Sequence, residues 1–173
     1  MDLTNYLKKV LYGLFKGIQS ALFFYLVLAF NIVLLFTIKF FPSMDGPAHL
    51  YNANMIAHLL KGNESLSEFF MIKKFWIPNW TSHAFLAVLH FVMPAWLAEK
   101  TLIILYVSGM AFSFRFLVKQ MNSDSVALSV LIFPFMYSFL FHLGFYNFSL
   151  SFIFFFYAVG LWIRRYSSGA ISG

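Results

Sequence analysis

Residues 41–80 form a polar stretch that opens with F-P-S-M-D-G-P-A-H-L-Y-N-A and closes with K-K-F-W-I-P-N-W. This stretch separates apolar segments that are too long and too smooth to be soluble, and it is the only long polar insert in the chain. Its acids and histidines are Asp45, Glu64, Glu68, His49 and His58. If the chain carries out chemistry, we expect that chemistry in this insert.

The composition of the 173-residue chain excludes an ordinary soluble domain. Hydrophobic residues make up 61% of it and aromatic residues 22%, whereas charged residues make up 10%. Soluble domains contain about 25% charged residues. Because the apolar runs on either side of the insert are long enough to cross a bilayer as helices, we predict an all-α integral membrane protein.

The charge balance indicates membrane lipid as a partner. The chain has 12 Lys and Arg residues against 6 Asp and Glu residues, a net charge of +6. In a membrane protein such an excess attracts anionic lipid and sets topology, so nucleic acid is not the predicted partner. The sequence contains no cysteine, which excludes disulfides and thiolate metal sites.

Apolar and polar runs divide the chain into six parts. Residues 1–19 predict an amphipathic interfacial helix, residues 20–41 a first transmembrane helix, and residues 42–80 an external loop with short helices. Residues 81–98 predict a short re-entrant or transmembrane segment, and residues 99–166 a three-helix transmembrane part with runs over 101–118, 126–143 and 145–163. Residues 167–173 predict a loop or a truncation point. This is a polytopic protein with four to five transmembrane helices and a long helical first external loop.

Whether residues 81–98 cross the membrane decides the topology. With a cytoplasmic N-terminus and five crossings, four Lys and Arg residues lie inside and eight outside, against the positive-inside tendency. If the segment dips in without crossing, seven lie inside and five outside. Five crossings with an external N-terminus also satisfy the count, but three lysines directly precede the first span and favour a cytoplasmic N-terminus. We therefore predict the dipping arrangement in a bacterial plasma membrane, which puts Asp45 and the turn over 144–147 on one face.

The insert contains a predicted helix with a candidate site at its start. Asp45-Gly-Pro47 predicts a turn into a helix that ends near Leu60, before Lys-Gly-Asn. The helix N-terminus favours the carboxylate form of Asp45. Asp45, His49 and Asn52 are spaced i, i+4 and i+7, so they share a face that could hold a hydroxyl acceptor or a divalent cation. In the alternative interpretation, Asp45 only caps a turn and His49 is an interfacial polar residue.

Other polar residues receive structural interpretations. Lys73 and Lys74 could bind a lipid-linked phosphate, or they could anchor the chain among headgroups. Arg115 is expected to extend toward the membrane surface beside Lys119. Glu99 is assigned to a short connection, so the predicted spans contain no buried acid. The remaining histidines are predicted to be hydrogen-bonded interfacial groups and not metal ligands: His83, His90 and His142.

The order of these features resembles the GT-C fold of polytopic glycosyltransferases. The features are a first span, an external loop that opens with an acid and a helix, an aromatic Pro-containing re-entry and a Gly-x-x-Asn turn. The resemblance implies a polyprenyl-phosphate sugar donor, Asp45 as the catalytic base, and this chain as the N-terminal module of a longer enzyme. Gly144 and Asn147 match a Gly-Gln-x-Asn turn of some members, with Phe145 in place of the Gln.

Two functions follow as expectations. In the first, a membrane glycosyltransferase moves a sugar to an acceptor at the outer face, with Asp45 as the base. Its predicted substrate-binding residues are His49, Asn52, Lys73, Lys74 and Asn147, and any divalent cation would lie at Asp45 and His49. In the second, the chain is a non-enzymatic polytopic protein, a transporter part or an interaction subunit, which would need polar groups inside its spans.

Overall fold

The computed structural model describes Leu7, Tyr12 and residues 21–72 and 78–167, and it is all-helical over these residues. The α-helices are α1 (Ala21–Leu35), α2 (Gly46–Leu60), α3 (Glu64–Ser67), α4 (Thr81–Leu89), α5 (Ala95–Met121), α6 (Ile132–Met136), α7 (Phe139–His142) and α8 (Tyr146–Ser167). A 3₁₀-helix, η1 (Ser123–Leu131), lies between α5 and α6. Apart from Leu7 and Tyr12, the predicted interfacial helix lies outside the described residues, and so do Lys73, Lys74 and residues 168–173.

Helix α5 is the centre of the fold, and α1, η1 and α8 pack around it. Helix α8 approaches α5 closely because glycines lie at the contact. A Cβ at Gly109 would come within 2.6 Å of the Ile153 side chain, and one at Gly160 within 2.7 Å of the Phe116 ring. Within the described part of the chain, α5 and α8 are the two helices long and apolar enough to cross a bilayer.

Helices α1 and α5 run antiparallel. At one end of the bundle, the backbone N–H of Phe41 donates a hydrogen bond to Glu99 Oε2 at 3.0 Å. At the other end, the guanidinium of Arg115 lies 4.4 Å from the centre of the Phe24 ring. Asp45 lies at the first of these ends, which we call the cleft end.

The chain returns to the cleft end twice more. From the far end, residues 123–143 lead back until Leu143 accepts a hydrogen bond from the N–H of Asp45 at 3.2 Å. Residues 81–98 both start and finish at the cleft end, because the Ser82 N–H binds Asn147 there and α5 begins beside Phe41. Both ends of this short segment therefore lie on one side of the bundle.

The apolar run over 126–143 is not a single helix, which corrects its expected form. Residues 81–98, predicted as a re-entrant or a transmembrane segment, contain a helix that ends at Leu89. Pro94 is the N-cap of α5, so the run expected over 101–118 belongs to a longer helix. Residues 126–143 divide into η1, α6 and α7. The last break lies at Ser138, whose hydroxyl accepts a hydrogen bond from the Phe141 N–H and starts a new helix there. Apolar composition alone cannot reveal such a break.

The expectation that the predicted spans hold no buried acid is wrong. Glu99 and Lys100 lie in the first turns of α5, and both are buried. The Lys100 ammonium donates hydrogen bonds to the carbonyls of Leu35 and Ile38 at the end of α1. The adjacent charges of this pair suggested a connection, but Glu99 accepts a hydrogen bond from the Phe41 N–H and Lys100 donates to two backbone carbonyls.

Arg115 also differs from its predicted orientation. Its guanidinium packs over Phe24 and donates a hydrogen bond to the buried hydroxyl of Ser129 at 3.0 Å. The side chain is half-buried and turns toward η1. It therefore joins α1, α5 and η1 at the end of the bundle opposite Asp45.

Candidate functional site

Asp45 begins α2 with a carboxylate that the helix does not use. The residue occupies the N-cap position, Pro47 lies in the first turn, and the side chain makes no capping hydrogen bond. The backbone is held instead: the N–H groups of Met44 and Asp45 donate to the carbonyls of His142 and Leu143. The predicted helix bounds are confirmed. The backbone of Asp45 is held in place, whereas its exposed side chain makes no capping hydrogen bond.

Gly144 lets the turn before α8 lie directly against Asp45. Its φ of +92° is in the left-handed region, and a Cβ there would lie 2.8 Å from the Cβ of Asp45 and 3.0 Å from its backbone nitrogen. Only glycine combines that φ with so close an approach at low cost. The structure thus brings the insert and the turn over 144–147 into contact.

A cavity of about 530 Å³ opens at this contact, and we call it the Asp45 cleft. Its polar lining consists of Asp45, His49, Asn79 and Asn147, and its apolar lining includes Leu140, Phe145 and Phe148. A concave site with apolar walls and a few convergent polar groups is the usual form of a small-molecule site. Three of the predicted site residues are brought together here, whereas Asn52 is not among the lining residues.

His49 forms a hydrogen-bonded pair with His83. His49 Nε2 lies 2.8 Å from the Gly144 carbonyl, His49 Nδ1 lies 3.1 Å from His83 Nε2, and His83 Nδ1 lies 3.3 Å from the Asn79 carbonyl. Carbonyls only accept, so these three hydrogen bonds need three ring N–H groups, while two neutral imidazoles supply two. With all three bonds made, the pair carries one additional proton.

That proton is disfavoured on the His49 ring. Burial lowers the pKa of His49, the Gly144 carbonyl acts to raise it, the nearby His83 lowers it and Asp45 raises it, with a net lowering. Burial therefore disfavours the imidazolium form of His49, whose Nε2–H donates to the Gly144 carbonyl. Neutral histidine next to a carboxylate is suited to accept or relay a proton.

Asn52 lies on the other side of His83. Its Nδ2 is 3.4 Å from His83 Nε2, and both residues line a second groove of about 420 Å³. Ile72 and Pro78, which flank the segment that carries Lys73 and Lys74, also line this groove. Asp45, His49 and Asn52 were expected to share one face. In the structure, Asp45 and Asn52 line two adjoining cavities, and the pair of His49 and His83 lies between these cavities.

Asn147 lines the Asp45 cleft, but its amide is already used in the fold. Its Oδ1 accepts from the Ser82 N–H at 2.7 Å, and its Nδ2 donates to the Asn79 carbonyl at 2.6 Å and to the Ser82 hydroxyl at 3.0 Å. These bonds cap α4 and join it to α8. A substrate contact by this amide would have to replace one of them.

Tyr146 forms the back of the site and was not among the residues singled out from the sequence. Its hydroxyl is 2.6 Å from the Ser43 hydroxyl, and its ring lies 5.0 Å from the His49 ring. The ring is buried and supports one side of the imidazole. A Tyr in an aromatic-rich segment gives no sequence signal that would distinguish it from its neighbours.

The described residues do not by themselves form a metal site. Asp45 and His49 offer two possible ligands, and no group of three or more His, Cys, Asp or Glu residues that could hold a metal ion occurs in the part of the chain that the structure describes. A divalent cation prefers a larger set of oxygen ligands than these two side chains supply.

Comparison with known proteins finds no matching family model, no matching curated protein and no matching solved structure. Function is therefore inferred from the residues of the Asp45 cleft themselves.

Proposed function

We propose that the chain is a polytopic membrane protein in which α1, α5, residues 123–143 and α8 cross the bilayer. The outer surfaces of the helices support this arrangement, because large apolar side chains are exposed along α1 and α8. They include Leu22, Leu26, Phe30, Val33, Phe154, Phe155, Leu161 and Trp162. Exposed apolar area of this extent is rare on soluble monomers and suits contact with lipid.

We further propose that the chain is the N-terminal part of a GT-C-like glycosyltransferase and that Asp45 is its catalytic base. One observation carries the proposal: the Asp45 carboxylate stands at a helix start without capping it and faces a cleft of about 530 Å³. A carboxylate that serves only as a cap would bind the helix N–H groups. This side chain is available for a ligand.

In the proposed reaction, Asp45 accepts the proton of an acceptor hydroxyl as its oxygen bonds to the anomeric carbon of the donor sugar. The bond from that carbon to the phosphate oxygen breaks, and the polyprenyl phosphate leaves with the electron pair. His49 lies in the same cleft and would orient the acceptor. Lys73 and Lys74 remain candidates for the phosphate, and Asn52 for the adjoining groove.

The test is an Asp45→Asn substitution in the full-length enzyme. We expect sugar transfer from a polyprenyl-phosphate donor to fall by about 10²-fold to 10⁴-fold, the usual contribution of a general base. Melting temperature should not change, because no capping hydrogen bond is lost. Glu64→Gln, which alters an exposed acid of the same insert, is the matched control and should keep normal transfer. Near-normal transfer by Asp45→Asn would contradict the assignment.

A transporter part is the second candidate, and buried Glu99 is the observation that favours it. Acids inside transmembrane helices commonly mark ion or proton paths. Vesicles that contain the purified protein would then show a proton or cation flux that Glu99→Gln abolishes and Asp45→Asn leaves unchanged. The glycosyltransferase proposal expects the reverse ranking of the two variants in a transfer assay.

A further inference from the structure

His49 and His83 face each other with the ring nitrogens that do not bind backbone. The Nε2–H of His49 donates to the Gly144 carbonyl at 2.8 Å, and the Nδ1–H of His83 donates to the Asn79 carbonyl at 3.3 Å. A neutral imidazole carries one N–H, so the other nitrogen of each ring presents a lone pair. These two nitrogens, His49 Nδ1 and His83 Nε2, lie 3.1 Å apart. Such an approach of two lone pairs is stable only with a proton or a metal ion between them.

The distance between the two nitrogens fits two ligands of one metal ion. Zn²⁺ binds imidazole nitrogen at about 2.0–2.1 Å, so two ligands of a tetrahedral zinc site lie roughly 3.3 Å apart. The observed separation of 3.1 Å is close to this value, and the difference of about 0.2 Å is within the tolerance expected of a metal site. A metal ion here satisfies both lone pairs and needs no third proton on the pair.

Both rings are also held from behind, as the imidazoles of metal sites are. A metal-binding histidine almost always donates its other N–H to a carbonyl, a carboxylate or water. The Gly144 carbonyl has this role for His49, whose ring also packs 5.0 Å from the Tyr146 ring. The Asn79 carbonyl has it for His83. The two rings therefore have the supporting contacts that a metal site needs.

Asn52 supplies a third donor beside the two imidazoles. No third His, Cys, Asp or Glu joins the pair in the part of the chain that the structure describes. The Asn52 amide nitrogen lies 3.4 Å from His83 Nε2, and a half turn of the amide puts its oxygen there instead. His83 faces the groove that Asn52 also lines, and His49 faces the Asp45 cleft, so the pair is reached from both cavities. Water or a ligand from either cavity can fill the remaining coordination position.

We propose that His49 and His83, together with Asn52, bind a divalent transition-metal ion of the Zn²⁺ type. Imidazole suits zinc, whereas Mg²⁺ and Ca²⁺ prefer sets of oxygen ligands that these residues do not supply. The two histidines belong to α2 and α4 and are 34 positions apart, so no sequence spacing indicates the site. Metal binding at this site does not require transferase activity, because no substrate takes part in it.

The experiment measures the zinc content of the purified full chain in nanodiscs, prepared with an affinity tag that contains no histidine. After a chelator has removed bound metal, dialysis against buffered Zn²⁺ should leave one ion per chain, measured by elemental mass spectrometry. Mg²⁺ in excess should not displace it. A chain that retains no zinc would show that the two histidines share a proton instead, and would overturn the proposal.

His83→Gln is the decisive variant, because it removes one of the two imidazoles. Zinc affinity should fall by about tenfold or more, since even a change behind a metal ligand typically costs that much. His58→Gln is the matched control, because His58 is an exposed histidine of α2, and it should bind zinc as the unaltered chain does. Unchanged zinc affinity in His83→Gln, or an equal loss in His58→Gln, would contradict binding by the pair.

Chemical modification of the unaltered chain covers the case in which His83→Gln does not fold. Diethyl pyrocarbonate reacts with imidazole nitrogens that carry a lone pair, and mass spectrometry locates the modified histidines. With Zn²⁺ at about ten times its dissociation constant, modification of His49 and His83 should slow about tenfold. The exposed His58 and His142 should react at the same rate with and without zinc. Equal rates at His49 and His83 with and without zinc would likewise overturn the proposal.

Discussion

Gly144 is the residue on which the shape of the Asp45 cleft depends most directly. Gly144→Ala would force a side chain into a left-handed backbone and place a Cβ 2.8 Å from that of Asp45. We expect a loss of about 2–4 kcal/mol in the free energy of unfolding, from backbone strain and overpacking together. Thermal unfolding in detergent measures it.

Gly62→Ala is the matched control for Gly144→Ala. Gly62 also has a left-handed φ, +78°, but a Cβ added there would have no atom within 4 Å. Only the backbone cost of about 1 kcal/mol applies there. Equal losses at the two positions would contradict a close approach of Gly144 to Asp45.

His49 should make the stability of the protein sensitive to acid. Its pKa is lowered by burial from the ordinary value of 6.5, so below that pH the unfolded chain binds more protons at this position than the folded chain. The stability it contributes is present above 6.5 and is lost as the pH falls through the folded pKa. Melting temperatures at about pH 7.5 and about pH 5.5 should differ more for the unaltered chain than for His49→Gln.

Asn54→Gln is the control for that titration, since Asn54 is an exposed residue of the same helix that does not titrate. It should lose as much stability on acidification as the unaltered chain. Parallel pH profiles for His49→Gln and the unaltered chain would instead show that burial of this ring has no effect on stability.

Sequence reasoning identified one half of the site because that half is local. Asp45 and His49 lie four residues apart at a helix start, and helical geometry puts them on one side. His83 follows His49 by 34 positions, and only the packing of α4 on α2 brings the two rings together. Glu99 was missed for a related reason: its backbone partner at Phe41 is 58 positions away.

At the scale of elements, local start and stop signals in the sequence predict α2 well. They do not predict the breaks within residues 126–143. Helix α2 is bounded by Asp45-Gly-Pro at its start and by Gly62 just after its end, and both signals act within a few residues. Residues 126–143 carry no such signal except Pro134, which α6 tolerates in its first turn. Their division into three short helices follows from packing on α5 and contact with Asp45.

The end of α1 depends on a lysine from another helix. Lys100→Met keeps the volume of the side chain but removes the donors to the carbonyls of Leu35 and Ile38. Leaving the buried Leu35 carbonyl and the part-buried Ile38 carbonyl unpaired should lower the free energy of unfolding by about 2–3 kcal/mol. Lys119→Met, which alters an exposed lysine near the other end of α5, should cost less than about 0.5 kcal/mol. Equal unfolding curves for the two variants would contradict the capping role.

At the scale of the molecule, the proposed arrangement has four crossings and a short segment that turns back. The chain has no native cysteine, so single cysteines can report the side of the membrane. Cysteines at exposed Ser65, Thr81 and Val92 should react with an impermeant maleimide from outside, and one at Asn122 only after lysis. Reaction of Thr81 and Val92 from opposite sides would show that residues 81–98 cross.

The contact between Asp45 and the turn before α8 also fixes when the cleft can form during synthesis. Ser43 and Tyr146, which meet through their hydroxyls, are 103 positions apart, and the carbonyls that hold Met44 and Asp45 belong to His142 and Leu143. Ribosomes add about 5–20 residues per second, so α2 is synthesised roughly 5–20 seconds before its partners. A nascent chain arrested before His142 therefore has Asp45 but no cleft around it, and the site is complete only once α8 has been made.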